Sequence, residues 1–249
     1  MSKILRGYLV VVSFIIFGFA TLIMGYVCFP LIKLFNRDKK KRLFMYGLFV
    51  RTAWYIFVGF LKLIRIIAVK SNDIEKLKNI KNSVIVTTHP SFIDGLVLLS
   101  IIPDATCLVA GRLAENWLTQ NIVKSMFIIS GVPVEDIIAQ TDKMLDNDLS
   151  VMVFPSGKRH LQNEYPKIRK GAALIAMNAD KDIIPIKLTT NIPFLQIGEP
   201  VSKPLEKTVE YTIEVKETIK IEEFTKKYED EFIRKRELTK AISEKLYGK

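Results

Sequence analysis

Ser83-Val84-Ile85-Val86-Thr87-Thr88-His89-Pro90-Ser91-Phe92-Ile93-Asp94 is the stretch on which the fold turns. Its first half is a short β-rich run without polar alternation, the mark of a strand buried on both faces. Pro90 suits the first turn of a helix, where its missing N–H costs nothing. His89 therefore falls at a strand-to-helix turn. Further β-rich runs follow at Ala105–Val109, Met126–Val134, Val151–Phe154 and Ile183–Leu188. Helical stretches at Asp94–Ile102, Asp136–Leu145 and Lys170–Asn178 lie between several of them. Strands alternating with helices of about ten residues predict an α/β fold with a largely parallel central sheet flanked by helices. Thr208–Ile221 alternates like a strand with one solvated face. Glu222–Tyr247 carries Phe224, Tyr228, Phe232 and Leu238 at helical spacing and reads as a closing helix. Nothing divides residues 71–249, which read as one domain.

The composition agrees. A chain of 249 residues, 49% hydrophobic and with a mean hydropathy of +0.21, is not disordered. Two cysteines, Cys28 and Cys107, make no disulfide scaffold, and no His/Cys/acid spacing suggests a metal site. The net charge of +11 is concentrated in residues 1–70, which hold twelve Lys/Arg against Asp38 alone, while the rest holds 25 of each sign. Basic charge on the most apolar part of the chain points to an anionic membrane rather than to nucleic acid.

Residues 1–70 are accordingly expected to be a membrane anchor. Gly7–Ile32 is a run of 26 uncharged residues. As a helix it is about 39 Å long, against a hydrocarbon core of roughly 30 Å. It is too long for a secretory h-region, and no small-residue cleavage site follows it. Lys33, Arg37, Lys39, Lys40, Lys41 and Arg42 follow it, against Lys3 and Arg6 before it, so the downstream domain is expected on the cytoplasmic face. Pro30 is expected to bend or end the helix. A second apolar stretch, Leu43–Val69, carries Arg51, Lys62 and Arg65 on one narrow stripe, with Trp54 and Tyr55 suited to an interfacial belt. One spanning helix plus an interfacial one, or a hairpin dipping into one leaflet, fits equally.

The candidate chemistry sits where strands end. Asp94, one turn into its helix, is placed to accept a hydrogen bond from His89, fix its tautomer and leave the other nitrogen as a general base. Taken alone, this spacing also describes an ordinary turn histidine. Further on, the Val151–Phe154 run breaks at Pro155-Ser156-Gly157-Lys158-Arg159, a glycine turn with two cations that offers N–H groups and charge to a phosphate. A solvated basic loop is the plainer alternative there. A later strand carries Pro185 within Ile183-Ile184-Pro185-Ile186.

This ordered set resembles the glycerophospholipid acyltransferase family that includes the 1-acylglycerol-3-phosphate acyltransferases. The family's N-H-x4-D block is matched by His89 and Asp94, with Thr88 in place of Asn. Its F-P-E-G-T-R block is matched by Phe154, Pro155, Gly157 and Arg159, with Ser156 in place of Glu. Pro185 and Lys170-Gly171-Ala172 match later features, and the likeness covers about residues 80 to 190. Gly131-Val132-Pro133-Val134-Glu135-Asp136-Ile137 stands where G-x-x-F-I-D-R is usual and lacks the arginine.

The resemblance implies a membrane-bound acyl transfer from a thioester, acyl-CoA or acyl carrier protein, to a lysophospholipid hydroxyl. His89 and Asp94 would be catalytic, with Phe154, Pro155, Ser156, Gly157, Lys158 and Arg159 binding substrate. Arg159, together with Lys158, would pair with an acceptor phosphate. Membrane lipids and the donor are the implied partners, with no metal or other cofactor. The altered blocks make head groups larger than glycerol 3-phosphate, or an amino-lipid precursor, the more plausible acceptors. Two other readings compete: a catalytically degenerate relative that binds lipid or protein, and an esterase using Ser156, which lacks a G-x-S-x-G elbow.

Overall fold

The computed structural model describes residues 2–160 and 164–248. The chain opens with α1 (Lys3–Ile23), a π-helical turn (Met24–Cys28), α2 (Phe29–Phe35) and α3 (Lys39–Leu63). Then come β1 (Ile67–Lys70), α4 (Ile74–Lys78), β2 (Val84–Thr87), α5 (Asp94–Ile101), β3 (Ala105–Ala110), α6 (Arg112–Glu115) and α7 (Gln120–Met126). After β4 (Ile128–Ser130) follow α8 (Val134–Leu145), β5 (Ser150–Val153), α9 (Gly171–Ala179), β6 (Ile183–Thr190), β7 (Val209–Val215), α10 (Ile221–Lys227) and α11 (Glu231–Tyr247).

The strands form one sheet in the order β1-β7-β6-β2-β5-β3-β4. Five are mutually parallel; β7 runs antiparallel to β6 and carries β1 alongside it. β2 lies at the centre with all four residues buried, as its uninterrupted apolar run requires. β7 alternates, with Val209, Tyr211 and Ile213 inside. Helices α8, α9 and α11 pack against one another over the sheet. The β2–α5–β3 and β5–α9–β6 crossovers run in opposite directions, which puts α5 on the other face. α3 packs onto α5.

Several boundaries differ from the sequence reading. Ile67–Lys70 is a strand of the sheet rather than the tail of an anchor helix. α3 ends in a Schellman turn: Arg65 takes φ 57°, its N–H bonds Lys62 O, and Ile66 N–H bonds Leu61 O at 2.9 Å. The expected Met126–Val134 strand shrinks to three residues, because Met126 closes α7 and Val134 opens α8. The expected closing helix is broken at Tyr228–Asp230, where Asp230 caps a new start. It buries Leu238, Ile242 and Leu246, while Phe232 is exposed under the Lys170 ammonium. Trp54 is buried against the Phe127 ring, 5.6 Å between centroids, so of the two belt residues only Tyr55 is exposed. Pro30 neither ends nor interrupts the helix. The π-helical turn just before it widens the hydrogen-bonding pattern where the proline ring would otherwise meet the preceding turn.

The N-terminal helices are seated on the domain along their length. Leu205 N–H bonds Lys3 O, Arg6 donates to Glu206 O, and Tyr26 donates to Trp117 O at 2.7 Å. Phe14 touches Phe57 of α3 and Phe92, which lies between His89 and Asp94. Gly7 is the tightest point: a Cβ there would stand 3.0 Å from Ser202 O and 3.1 Å from Lys203 O, whereas nothing approaches Gly18 within 4 Å. Gly7→Ala is expected to cost about 1–3 kcal/mol by forcing α1 off its seat, and Gly18→Ala to gain about 0.5–1 kcal/mol through helix propensity. Thermal unfolding of both variants in the same detergent checks the opposition.

Candidate active site

β2 and β5 are adjacent and parallel, with Val86 opposite Val153. Their carboxyl ends therefore deliver His89 and Phe154 to the same place, and the two rings stack with centroids 4.1 Å apart. Thr88, in the position of the usual Asn, ties the end of β2 to β6. Its hydroxyl donates to Leu188 O at 2.6 Å and accepts from Leu188 N–H at 2.8 Å. The turn after Pro90 brings Asp94 back under the imidazole. His89 Nδ1 stands 2.8 Å from Asp94 Oδ2, which also accepts the Ser91 N–H at 2.7 Å. An ionised carboxylate accepts, so Nδ1 carries the proton and Nε2 keeps its lone pair.

Asp94 has no exposed surface, and His89 keeps 20% of its side chain open. Burial raises the Asp94 pKa; the hydrogen bond and charge of His89, the Ser91 N–H and the charge of Arg159 act against it. Its Oδ1 is buried without a hydrogen-bond partner among the described residues. Burial pushes the Tyr211 phenol well up, and the charge of Asp94 adds to that. The site thus holds a carboxylate in dry, weakly solvating surroundings.

The loop after β5 divides its residues between framework and mouth. Pro155 is buried and its carbonyl accepts the Arg169 N–H. Ser156 is buried at 4% exposure, and its hydroxyl donates to Lys158 O at 2.8 Å, so it braces the loop from within. Gly157 has φ 68°, and a Cβ there would press on the Arg169 guanidinium at 2.9 Å. Lys158 is exposed. Arg159 lies 5.5 Å over the Phe92 ring and donates to Leu195 O. Burial lowers the pKa of Arg159, as does the charge of Arg112, while Asp94 and Glu199 raise it.

The sequence reading passed over several of these contributors. Arg112, just after β3, supplies a second guanidinium beside Arg159. The segment after β6 brings Leu195, Gln196, which donates to Pro90 O, and Glu199. His160 bonds the His89 backbone. None stands in a readable motif; the only available signal was their position just beyond strand ends. The Gly131–Ile137 turn, by contrast, follows edge strand β4 and opens α8.

Because its folded pKa is raised, Asp94 is no burden below the ordinary carboxylate range; its cost in stability builds as the pH rises above that range and is complete once the pH passes the raised value. Asp94→Asn is therefore expected to unfold at a higher temperature than the parent near neutral pH, by the equivalent of about 1–3 kcal/mol. The advantage should shrink on acidification. A melting-temperature series from about pH 7.5 to about pH 4 reads this directly, and a variant less stable throughout would refute it.

Residues 68–189 match the sequence model of the Acyltransferase family. The fold is similar to that in the crystal structure of the 1-acyl-sn-glycerophosphate (LPA) acyltransferase PlsC from Thermotoga maritima, with a TM-score of 0.68 and 16% identity. That likeness covers 97% of this chain and 93% of the other. His89, Asp94 and the Phe154–Arg159 loop all lie within the matched residues, so the likeness to the Acyltransferase family covers the whole of the candidate site.

Proposed function

We propose that this acyltransferase moves a fatty acyl group from a thioester, acyl-CoA or acyl carrier protein, to the hydroxyl of a lysophospholipid, with His89 as general base. The His89–Asp94 contact at 2.8 Å carries the reading. It leaves Nε2 as the one nitrogen of that ring able to take a proton, on a side chain that is partly open. The acceptor hydroxyl gives its proton to Nε2 as its oxygen attacks the thioester carbonyl. The C–O bond forms, the C–S bond breaks, and the imidazolium returns the proton to the departing thiolate. Asp94 stabilises that imidazolium through Nδ1–H, and Phe154 holds the ring plane.

Arg159 and Arg112 are suited to hold an acceptor phosphate. Their mutual repulsion and partial burial favour an anion between them, and guanidinium geometry favours a phosphate. Arg112 thereby makes up for the arginine absent from the Gly131–Ile137 segment. The intact His–Asp pair speaks against a turnover-free relative, and the inward-bonded Ser156 hydroxyl against a serine esterase.

Two helical stretches, Lys3–Phe35 and Lys39–Leu63, are long and apolar enough to cross a bilayer. Contacts of α1 with the domain near both of its ends favour a hairpin lying in one leaflet. A crossing helix could not keep Lys3 beside Leu205 and Tyr26 beside Trp117 without drawing the domain into the hydrocarbon. Exposed Ile4, Tyr8, Ile15, Phe19, Ile23 and Val27 form the lipid-facing side. The basic cluster from Arg37 to Arg42 faces anionic head groups on the cytoplasmic side.

Thiol release by detergent-purified protein, with acyl-CoA or acyl carrier protein and a panel of lysolipids, tests the reading. His89→Ala is expected to lose about two to four orders of magnitude of lysolipid-dependent release while sedimenting with membranes as the parent does. Turnover like the parent's in that variant would sink it. Arg112→Ala and Arg159→Ala are each expected to raise the KM for a phosphate-bearing acceptor by about ten-fold or more, the loss of one charge-assisted pair. An unchanged KM in both would remove the phosphate assignment.

A further inference from the structure

The chain has two histidines, and the second is tied to the first through the backbone. The His160 N–H donates to His89 O at 3.1 Å, and the His89 N–H donates to Nε2 of His160 at 3.3 Å. The Tyr247 hydroxyl lies 2.9 Å from the same Nε2, and its ring meets the imidazole edge-on at 5.5 Å. A backbone N–H only donates, so this Nε2 is an acceptor. Neutral His160 therefore carries its proton on Nδ1, and the Tyr247 hydroxyl is a second donor to Nε2. His160 is 5% exposed, and burial pushes the Tyr247 phenol up, which keeps it a donor.

The placement matters because the main chain has few other holds there. His89 lies one residue past Thr88, whose own side chain makes the last tie to β6. The next residue, Pro90, has no N–H to offer. Asp94 and Phe154 fix the His89 ring; His160 fixes the backbone from which that ring projects. A shift of about 1 Å at a reacting group can cost roughly 100-fold in rate.

We propose that His160 and Tyr247 are positioning residues for His89, the last turn of α11 holding the His160 imidazole and that imidazole holding the His89 main chain. The role rests on the reading of His89 as the base. One test is independent of activity: full-length parent protein in micelles, labelled with 15N at histidine, shows only two imidazoles, and His160 is expected with Nδ1 protonated and Nε2 bare. A proton on His160 Nε2 would overturn the proposal.

Kinetics supply the second arm. His160→Phe keeps a flat ring without an acceptor and is expected to lower kcat about 10- to 100-fold with the acceptor KM within about two-fold. His160→Gln, whose Oε1 reaches about as far as Nε2, should recover kcat to within about three-fold of the parent. Tyr247→Phe should lower kcat about two- to five-fold. Equal losses in His160→Phe and His160→Gln would show packing alone and refute the role, as would a parent-like kcat in His160→Phe. If His160→Phe does not fold, the tautomer and Tyr247→Phe decide. Retained turnover in His89→Ala would bring down the base reading. A parent-like His160→Phe beside an inactive His89→Ala would bring down the positioning role alone.

Discussion

Asp94 has no contact with water, yet the role proposed for it requires a negative charge. A carboxylate in such surroundings is costly unless donors converge on it. Two reach Oδ2, the His89 Nδ1–H and the Ser91 N–H, and both come from the tight turn between β2 and α5. The other oxygen, Oδ1, is left bare. The unmet demand on that oxygen strengthens the pull on the imidazole proton, since the charge is relieved wherever a proton approaches. The turn, the central position of β2 and the fit of Phe154 against the ring all serve this one contact, and each would lose its purpose without it.

The same contact links the site to the long apolar helices. α5 begins at Asp94, and α3 packs onto α5; Phe14 of α1 touches Phe92, within the turn itself. Ring packing of Phe14 and Phe17 against Phe57 joins the two long helices to each other. Under the proposed reading, an acceptor or acyl chain lying in the leaflet would approach along these helices toward the turn that holds His89. On this view the apolar helices would set the height of the site relative to the lipid as well as attach the protein. The tight seat at Gly7 would then bear on the position of that turn.

The central strand and the His–Asp pair were legible because local rules decide them. A fully buried parallel strand must be a short apolar run, and a proline-started turn places Asp94 within reach of His89. The Phe154–Arg159 stretch follows the end of β5 for the same reason, but which of its side chains turn inward is not written in the local pattern. Ser156 counted as a binding residue from its place in a block, and only the bond to Lys158 O shows that its hydroxyl is spent inside the loop. Trp54 reads equally as a lipid-belt or a core residue until Phe127, far along the chain, is placed against it. The end of α3 was obscured because Ile64–Val69 is apolar by either period, and an arginine, not a glycine, takes the left-handed turn. Arg112, His160, Glu199 and Tyr247 reach the site through strand order and helix packing, which no local pattern encodes.

The departures from the family blocks acquire a physical sense from this arrangement. Thr88 replaces an amide with a hydroxyl that pairs donor and acceptor with Leu188, so the end of β2 is held by β6 rather than by a longer side chain. Ser156 removes a carboxylate from the β5 loop, but Glu199, from the segment after β6, places one near Arg159. Charge lost from one loop is thus supplied by its neighbour, at the cost of a different position relative to His89. The cations follow the same pattern, with Arg112 after β3 standing beside Arg159 after β5. Under the proposed reading, surroundings rebuilt from different loops around an unchanged His–Asp pair would keep the acyl-transfer step while moving the contacts that select the head group. Acceptor preference is therefore where this protein is expected to differ from relatives carrying the usual blocks.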